Sequence, residues 1–236
     1  MALLYEGKAK QLFTTENDDE LRLVYKNDAT AFNGEKHDVL EGKGKLNNAI
    51  SALFFEVLEA EGVATHFKAK ISETEQIVRP TQMIPLEVVV RNLTAGSLAR
   101  RLGWAEGKEL TEPIVEWYYK DDAIGDPLVN EAHIAALEVV KAEELEEMRM
   151  RALHVNKILL KLCQKAGILL VDFKLEFGFA EDGTLILADE VSPDTCRFWD
   201  KETGEKMDKD VYRYDLGSLQ SGYETILSRI GGVVHG

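Results

Sequence analysis

A chain of 236 residues can bury a sizeable core, as one large domain or as two small lobes. Its formal charge of −14 argues against a general nucleic-acid binder, whose footprint would be basic, yet leaves room for a local anion pocket. No apolar run is long enough to span a bilayer, the start MALLYEGKAK lacks the order of a signal peptide, and Cys163 and Cys196 make no disulfide framework, so a cytoplasmic protein with no membrane partner is expected.

In chain order, Leu3–Tyr5, Lys10–Thr14 and Leu21–Tyr25 read as short strands, with Glu16-Asn17-Asp18 turning between the last two. Gly42 and Gly44 precede an apolar-periodic segment, Leu46–Glu61, predicted as a helix stopped by Gly62. Strands follow at Thr65–Ile71, Glu75–Arg79 and Leu86–Arg91. Helices are predicted at Ser97–Leu102, Glu131–Leu137, Ala142–Ala166 and Tyr214–Arg229. There is no internal repeat and no low-complexity linker. The pattern is α+β: an antiparallel β lobe with one helix over residues 1–83, then an α+β lobe over residues 84–236.

The most informative segment is VDFKLEFGFAEDGTLILADEVSPDTCRFWD, Val171–Asp200. Asp172, Lys174 and Glu176 alternate with Phe173, Leu175 and Phe177, which sets the charges on one face and the apolar side chains against a core. Asp182-Gly183 reads as a two-residue hairpin connection, because both positions tolerate positive φ. That loop would set Glu176 directly opposite Asp189. Facing carboxylates repel unless a cation lies between them, and this is what a magnesium-nucleotide site needs.

Three further segments carry chemistry. At the strand-turn-strand junction Glu6-Gly7-Lys8-Ala9-Lys10, the glycine lets backbone N–H groups approach a phosphate, and Lys8 and Lys10 project from one face. Taken alone, this reads first as a hairpin with solvated lysines, and neither GxxxxGK[ST] nor GxGxxG is present. In PLEVVVRNLTAGS, Pro85–Ser97, a buried strand delivers Arg91 to a turn with Ser97 at the cap of a helix, forming an anion pocket; Glu87 shares Arg91's face. Ser192-Pro193-Asp194 then stiffens the approach of Arg197, a second grip for the same phosphate. The five histidines show no metal-ligand spacing, Cys196 lacks a partner histidine, and DKETGEKMDKD, Asp200–Asp210, reads as a polar loop whose lysines could approach a nucleotide.

These segments together resemble the phosphoribosylaminoimidazole-succinocarboxamide synthase (SAICAR synthetase) family. The matching residues are YEGKAKQLF at Tyr5–Phe13, PLEVVVRNLTAGS at Pro85–Ser97, KDDAIGDPLVNE at Lys120–Glu131, LLVDFKLEFG at Leu169–Gly178 and LADEVSPDTCRFWD at Leu187–Asp200, in the family's order. Asn33 is a departure, since many members carry an acidic residue near there. The resemblance implies a kinase-like first lobe, an ATP-grasp-like second lobe and a nucleotide in the cleft. It implies an ATP-dependent ligase joining L-aspartate to 5-amino-1-(5-phosphoribosyl)imidazole-4-carboxylate, with release of ADP and phosphate, and a homodimer.

Carried onto this sequence, the resemblance puts Gly7, Lys8, Ala9 and Lys10 over the ATP phosphates, Met83 at the adenine and Lys120 near the nucleotide. Glu176 and Asp189 would hold Mg²⁺. Lys174 would neutralise phosphate charge; the chemistry separately needs an acceptor for the amine's proton, either Asp194, the substrate or the phosphate. Arg91, Ser97 and Arg197 would clasp the ribotide phosphate, Glu87 would sit by the imidazole carboxylate, and aspartate would meet Lys120–Asn130 with Asp126. A phosphotransferase would use the same carboxylates, but the kinase HRD and DFG signatures are missing; a nucleotide sensor would need neither Lys174 nor the ribotide clasp.

Overall fold

The computed structural model describes residues 1–31 and 34–236; Asn33 lies outside the described residues. The chain opens with strands β1 (Leu3–Glu6), β2 (Lys10–Thr14) and β3 (Leu21–Tyr25), then a hairpin of β4 (Asp28–Ala31) and β5 (Lys36–Val39). Helix α1 (Lys43–Ala60) and strands β6 (Phe67–Lys70) and β7 (Glu75–Val78) follow. The first sheet is antiparallel, in the order β1-β2-β3-β7-β6.

Strand β8 (Gln82–Leu93) begins the second sheet, followed by helix α2 (Gly96–Leu102), β9 (Glu109–Tyr119) and β10 (Leu128–Val129). Helices α3 (Glu131–Leu137) and α4 (Ala142–Lys165) lead to β11 (Ile168–Phe179), β12 (Leu185–Ala188) and β13 (Cys196–Asp200), and the chain ends in α5 (Asp210–Arg213) and α6 (Leu219–His235). The order is β10-β9-β8-β11-β12, again antiparallel, with β13 on the first half of β11 and β12 on the second.

Strand β11 is the axis of the molecule because its alternation serves two environments. Phe173, Leu175 and Phe177 are buried in the core with α4 and α6, while Asp172, Lys174 and Glu176 share the opposite face. Helix α4 meets this core with Leu145, Met148, Ala152, Val155, Leu159 and Leu162, the spacing of one helical face. Helix α1 adds Phe54 and Phe55, both fully buried, and Phe54 stacks on Phe198 at 5.8 Å between ring centroids. A ring buried this completely contributes roughly 1.5–3 kcal/mol, so Phe54 adds a tie between α1 and β13 of the second sheet.

Several local expectations are corrected. Strand β9 was hidden by Pro113, which falls in the register shift opposite Arg91–Leu93 where a missing N–H costs no ladder bond. The last helix starts at Leu219, not Tyr214: Asp215 and Gly217 have φ of 52° and 146°, and Ser218 caps the new helix by accepting from Ser221 N at 3.3 Å. The central hairpin turns through three residues, not two. Ala180 N donates to Thr184 O at 2.9 Å, Gly183 takes a φ of 81°, and Glu176 consequently pairs with Ala188 instead of Asp189.

Candidate active site

The carboxylate opposite Glu176 is Glu87, brought there by the pairing of β8 with β11. Lys174 lies on the same face and relieves the repulsion: its Nζ is 2.5 Å from Glu176 Oε1 and 3.1 Å from Glu87 Oε1. Asp189 still joins them. It sits just past β12 with φ at 63°, and this left-handed step turns its carboxylate to 3.6 Å from the same ammonium. Lys10 arrives from the other side, 2.5 Å from Asp189 Oδ1 and 2.9 Å from Glu190 Oε1, and Lys120 donates to the second oxygen of Glu176.

Lys174 and Asp189 hold each other charged. Burial depresses Lys174, but Glu176, Asp189 and Glu87 outweigh it and raise the amine well above its ordinary range. Burial raises Asp189, and Lys10 and Lys174 overcome that to hold the carboxyl well below the usual range. Among the described residues no three acidic, histidine or cysteine side chains converge as a ready metal cage. Glu176 and Asp189 do offer two hard oxygen donors around one cation position, which suits Mg²⁺ completed by substrate phosphates.

The cluster floors a cleft of about 520 Å³ whose roof is the β1–β2 turn, with Gly7, Lys8, Ala9 and Lys10 all on its wall. Gly7 N donates to Lys10 O at 2.8 Å to close that turn, and Lys8 reaches Asp122 at 2.6 Å across the mouth. Asp126 lines the same cleft, its carboxylate accepting from Asp121 N at 2.8 Å. An adjoining apolar cavity of about 460 Å³ is walled by Leu12, Leu23, Val78, Met83 and Ile84. His66 borders it with a buried Nε2 that has no hydrogen-bond partner among the described residues; burial pushes its pKa down to about 4.

A third cavity, about 200 Å³, holds the predicted arginines. Arg91 donates to Glu116 at 2.7 Å, Asp172 at 2.9 Å, Ser97 Oγ at 2.9 Å and Tyr118 OH at 3.1 Å. Arg197 meets the same Asp172 at 2.9 Å and Asp210 at 2.8 Å, so one carboxylate braces both guanidinium groups. Ser97 does not cap α2: the cap is Ala95, and Glu106 accepts from Gly96 N at 2.9 Å, which frees the serine hydroxyl for Arg91. A Cβ on Gly96 would come within 2.5 Å of the Arg197 guanidinium, so only glycine permits this packing.

Asp194 lines both the cleft and the arginine cavity. Its oxygens accept from Lys43 at 2.5 Å and Tyr223 OH at 2.6 Å; burial raises the carboxyl, and Lys209 and Lys43 override this and hold it well below the usual range. The cysteines are free and buried, and burial raises both thiols, Cys163 to about 12; neighbouring Arg197 does not activate Cys196. Sequence reasoning did not place Arg213 in the cleft, nor Lys43, which lies buried behind Asp194; Glu190 was noted beside Asp189 without a role. Lys209 stood in the stretch read as a polar loop, and Lys43 and Arg213 carried no local signal.

Antiparallel sheets in a mixed α+β fold, lysines set against carboxylates, and a braced pair of arginines alongside define a protein that handles phosphorylated small molecules. The family described as SAICAR synthetase matches residues 3–230. A phosphoribosylaminoimidazole-succinocarboxamide synthase from Shouchella clausii is 56% identical over 99% of this chain and 98% of its own length. One from Exiguobacterium sp. is 59% identical over 98% and 99%. The solved synthase from Ehrlichia chaffeensis superimposes with a TM-score of 0.95 at 43% identity, covering 98% of both chains. A SAICAR synthetase in complex with ADP gives 0.94 at 48% identity, again over 98% of both. The chain belongs to the SAICAR synthetase family, and its activity is that family's ligase reaction in purine biosynthesis. Among the described residues no helix is long and apolar enough to cross a membrane.

Proposed function

We propose that the chain condenses L-aspartate with 5-amino-1-(5-phosphoribosyl)imidazole-4-carboxylate in an ATP-driven step, using the residues assembled around Lys174. The observation that carries this reading is one ammonium shared by Glu176, Glu87 and Asp189, within a cleft that continues into the Arg91–Arg197 cavity. ATP phosphates lie under the Gly7–Lys10 turn, with adenine in the apolar cavity beside Met83. A kinase-like lobe of residues 1–83 and an ATP-grasp-like lobe of residues 84–236 flank the nucleotide. The ribotide phosphate takes Arg91, Ser97 and Arg197. The enzyme works as a cytoplasmic homodimer.

Glu176 and Asp189 would hold Mg²⁺, which supplies neutralisation of phosphate charge when bound. A carboxylate is a poor acyl donor, so one of its oxygens first attacks the γ-phosphorus and ADP departs. The aspartate amine, as free base, then attacks the acyl carbon and inorganic phosphate leaves. Lys10 and Lys174 stabilise the charge that builds on the transferred phosphoryl group, and the braced arginines fix the ribotide so that its carboxylate faces it. Asp194, already engaged on both oxygens, is a weak proton acceptor, and the departing phosphate can share that duty. An ADP-release assay tests the reading: turnover must require both L-aspartate and the imidazole carboxylate. Oxygen-18 in that carboxylate must appear in the phosphate; its absence there would exclude the acyl phosphate.

A further inference from the structure

We infer that Lys209 is the cation that holds a carboxylate of the amino-acid substrate. This rests on the reading that aspartate is the amine donor, and it starts from the pairing of the positive groups in the cleft. Lys8, Lys10, Lys120, Lys174, Lys209 and Arg213 line it. Five of them are engaged: Lys8 with Asp122 at 2.6 Å, Lys10 with Asp189 at 2.5 Å, Lys120 with Glu176, Lys174 with Glu176 at 2.5 Å and Arg213 with Asp210 at 2.7 Å. Lys209 alone of the six makes its ion pair at a distance too long for a hydrogen bond. Its nearest carboxylate oxygen, Asp194 Oδ2, is 3.9 Å away and already accepts from Lys43 at 2.5 Å.

The ammonium cannot relieve this by moving into bulk water. The Lys209 side chain is only 15% exposed, and its backbone N donates to Pro193 O at 3.1 Å, which seats the residue at the start of α5. Burial pushes the amine's pKa down; Asp194 opposes this, and Lys43 and Arg213 add to the depression. A buried ammonium without a hydrogen-bond partner is costly, and an incoming carboxylate removes that cost.

Place and charge select which anion arrives. The ATP phosphates belong to the Lys10–Lys174 end, and the ribotide phosphate to the arginines. Lys209 stands beside Asp194, which with Thr195 and Arg213 lines both cavities, and so occupies the junction where amine must meet acyl group. The Lys120–Asn130 segment presents Asp122 and Asp126 to the cleft, a lining suited to the substrate's ammonium and not to its carboxylates.

Initial rates of the full chain, with each substrate varied in turn, test this. Lys209→Met should raise the KM for L-aspartate by about 50-fold, the equivalent of one charge-assisted pair, with the KM values for ATP and the ribotide close to wild type. Lys209→Arg should recover most of the loss. Succinate, which keeps both carboxylates and lacks the amine, should compete with aspartate in the wild type and lose that inhibition in Lys209→Met. Lys209→Gln serves in its place where the Met variant does not fold. An unchanged aspartate KM in a folded variant, with or without a fall in kcat, overturns the assignment, as does a change confined to the ribotide. Absence of any aspartate requirement in the wild type is the separate failure of the reading beneath it.

Discussion

Replacing Lys174 by methionine removes the ammonium that Glu176, Glu87 and Asp189 share at 2.5, 3.1 and 3.6 Å while keeping most of its bulk. Glu176 is 2% exposed and keeps Lys120 as its remaining partner, so losing one of its two charge-assisted contacts costs about 1.5–3 kcal/mol. For a chain of this size that corresponds to a fall in Tm of roughly 5–10 °C. If the three carboxylates form a true cation position, Mg²⁺ should replace the missing charge. At a hundredfold excess over Kd it would return about 2.7 kcal/mol. The assay is thermal or urea unfolding of wild type and Lys174→Met, without nucleotide, in EDTA and across a Mg²⁺ titration. The variant should be markedly less stable in EDTA and gain more from Mg²⁺ than the wild type, in which, without nucleotide, Lys174 already neutralises the carboxylates that would hold the ion. Equal stability in EDTA, or equal Mg²⁺ responses, would refute the idea that these carboxylates act as one cation site.

Glu176→Ala should lower kcat by about a thousandfold or more at saturating Mg²⁺, because a group facing the phosphoryl transfer is lost; near-normal turnover would remove it from the site. Arg197→Ala should chiefly weaken the ribotide, raising its KM by roughly 10–100-fold as a charge-assisted contact disappears, and an unchanged ribotide KM would take Arg197 out of the clasp. His66, 6% exposed and with its pKa pushed from 6.5 down to about 4 by burial, predicts a pH effect on stability. The folded protein keeps it neutral, whereas the unfolded chain takes up a proton below 6.5, so stability falls as pH drops through the window between 6.5 and about 4. Between pH 7 and pH 5 the loss is about 2 kcal/mol, and it should vanish in His66→Phe; urea melts of both proteins at the two pH values check this.

The polar face of β11 was legible because strand alternation is a local rule: Asp172, Lys174 and Glu176 follow from period two alone. The partners of those residues were not. Arg91 and Asp172 meet across 81 residues of chain, and Glu87 and Lys174 across 87, and no spacing in the sequence encodes such encounters. Glu87 was therefore foreseen as sharing Arg91's face without being foreseen as the group opposite Glu176. Lys209 was legible only as one of several loop lysines that could approach a nucleotide; it takes the packing of α5 behind Pro193 to place it in the cleft.

Asp189 does not pair with Glu176, yet both carboxylates reach the Lys174 ammonium. Asp182-Gly183 marks the turn, but Asp182 accepts from Thr184 N at 2.9 Å and Gly183 takes the left-handed position, which makes a three-residue loop. In a regular strand that extra residue would send Asp189 to the face opposite Glu176, since a slip of one reverses every side chain. The second left-handed residue, Asp189 itself at φ 63°, reverses it again. A non-glycine residue in that region is held only where its surroundings overdetermine it. Here they do: Lys10 and Lys174 grip the carboxylate, and segment 64–66 clamps β12 through Leu187 N to Ala64 O at 3.0 Å and His66 N to Leu187 O at 2.8 Å. The strain at Asp189 and the cation site at Lys174 are thus one feature, in which the first sheet's connection to β12 aims a carboxylate that hairpin geometry alone would have turned away.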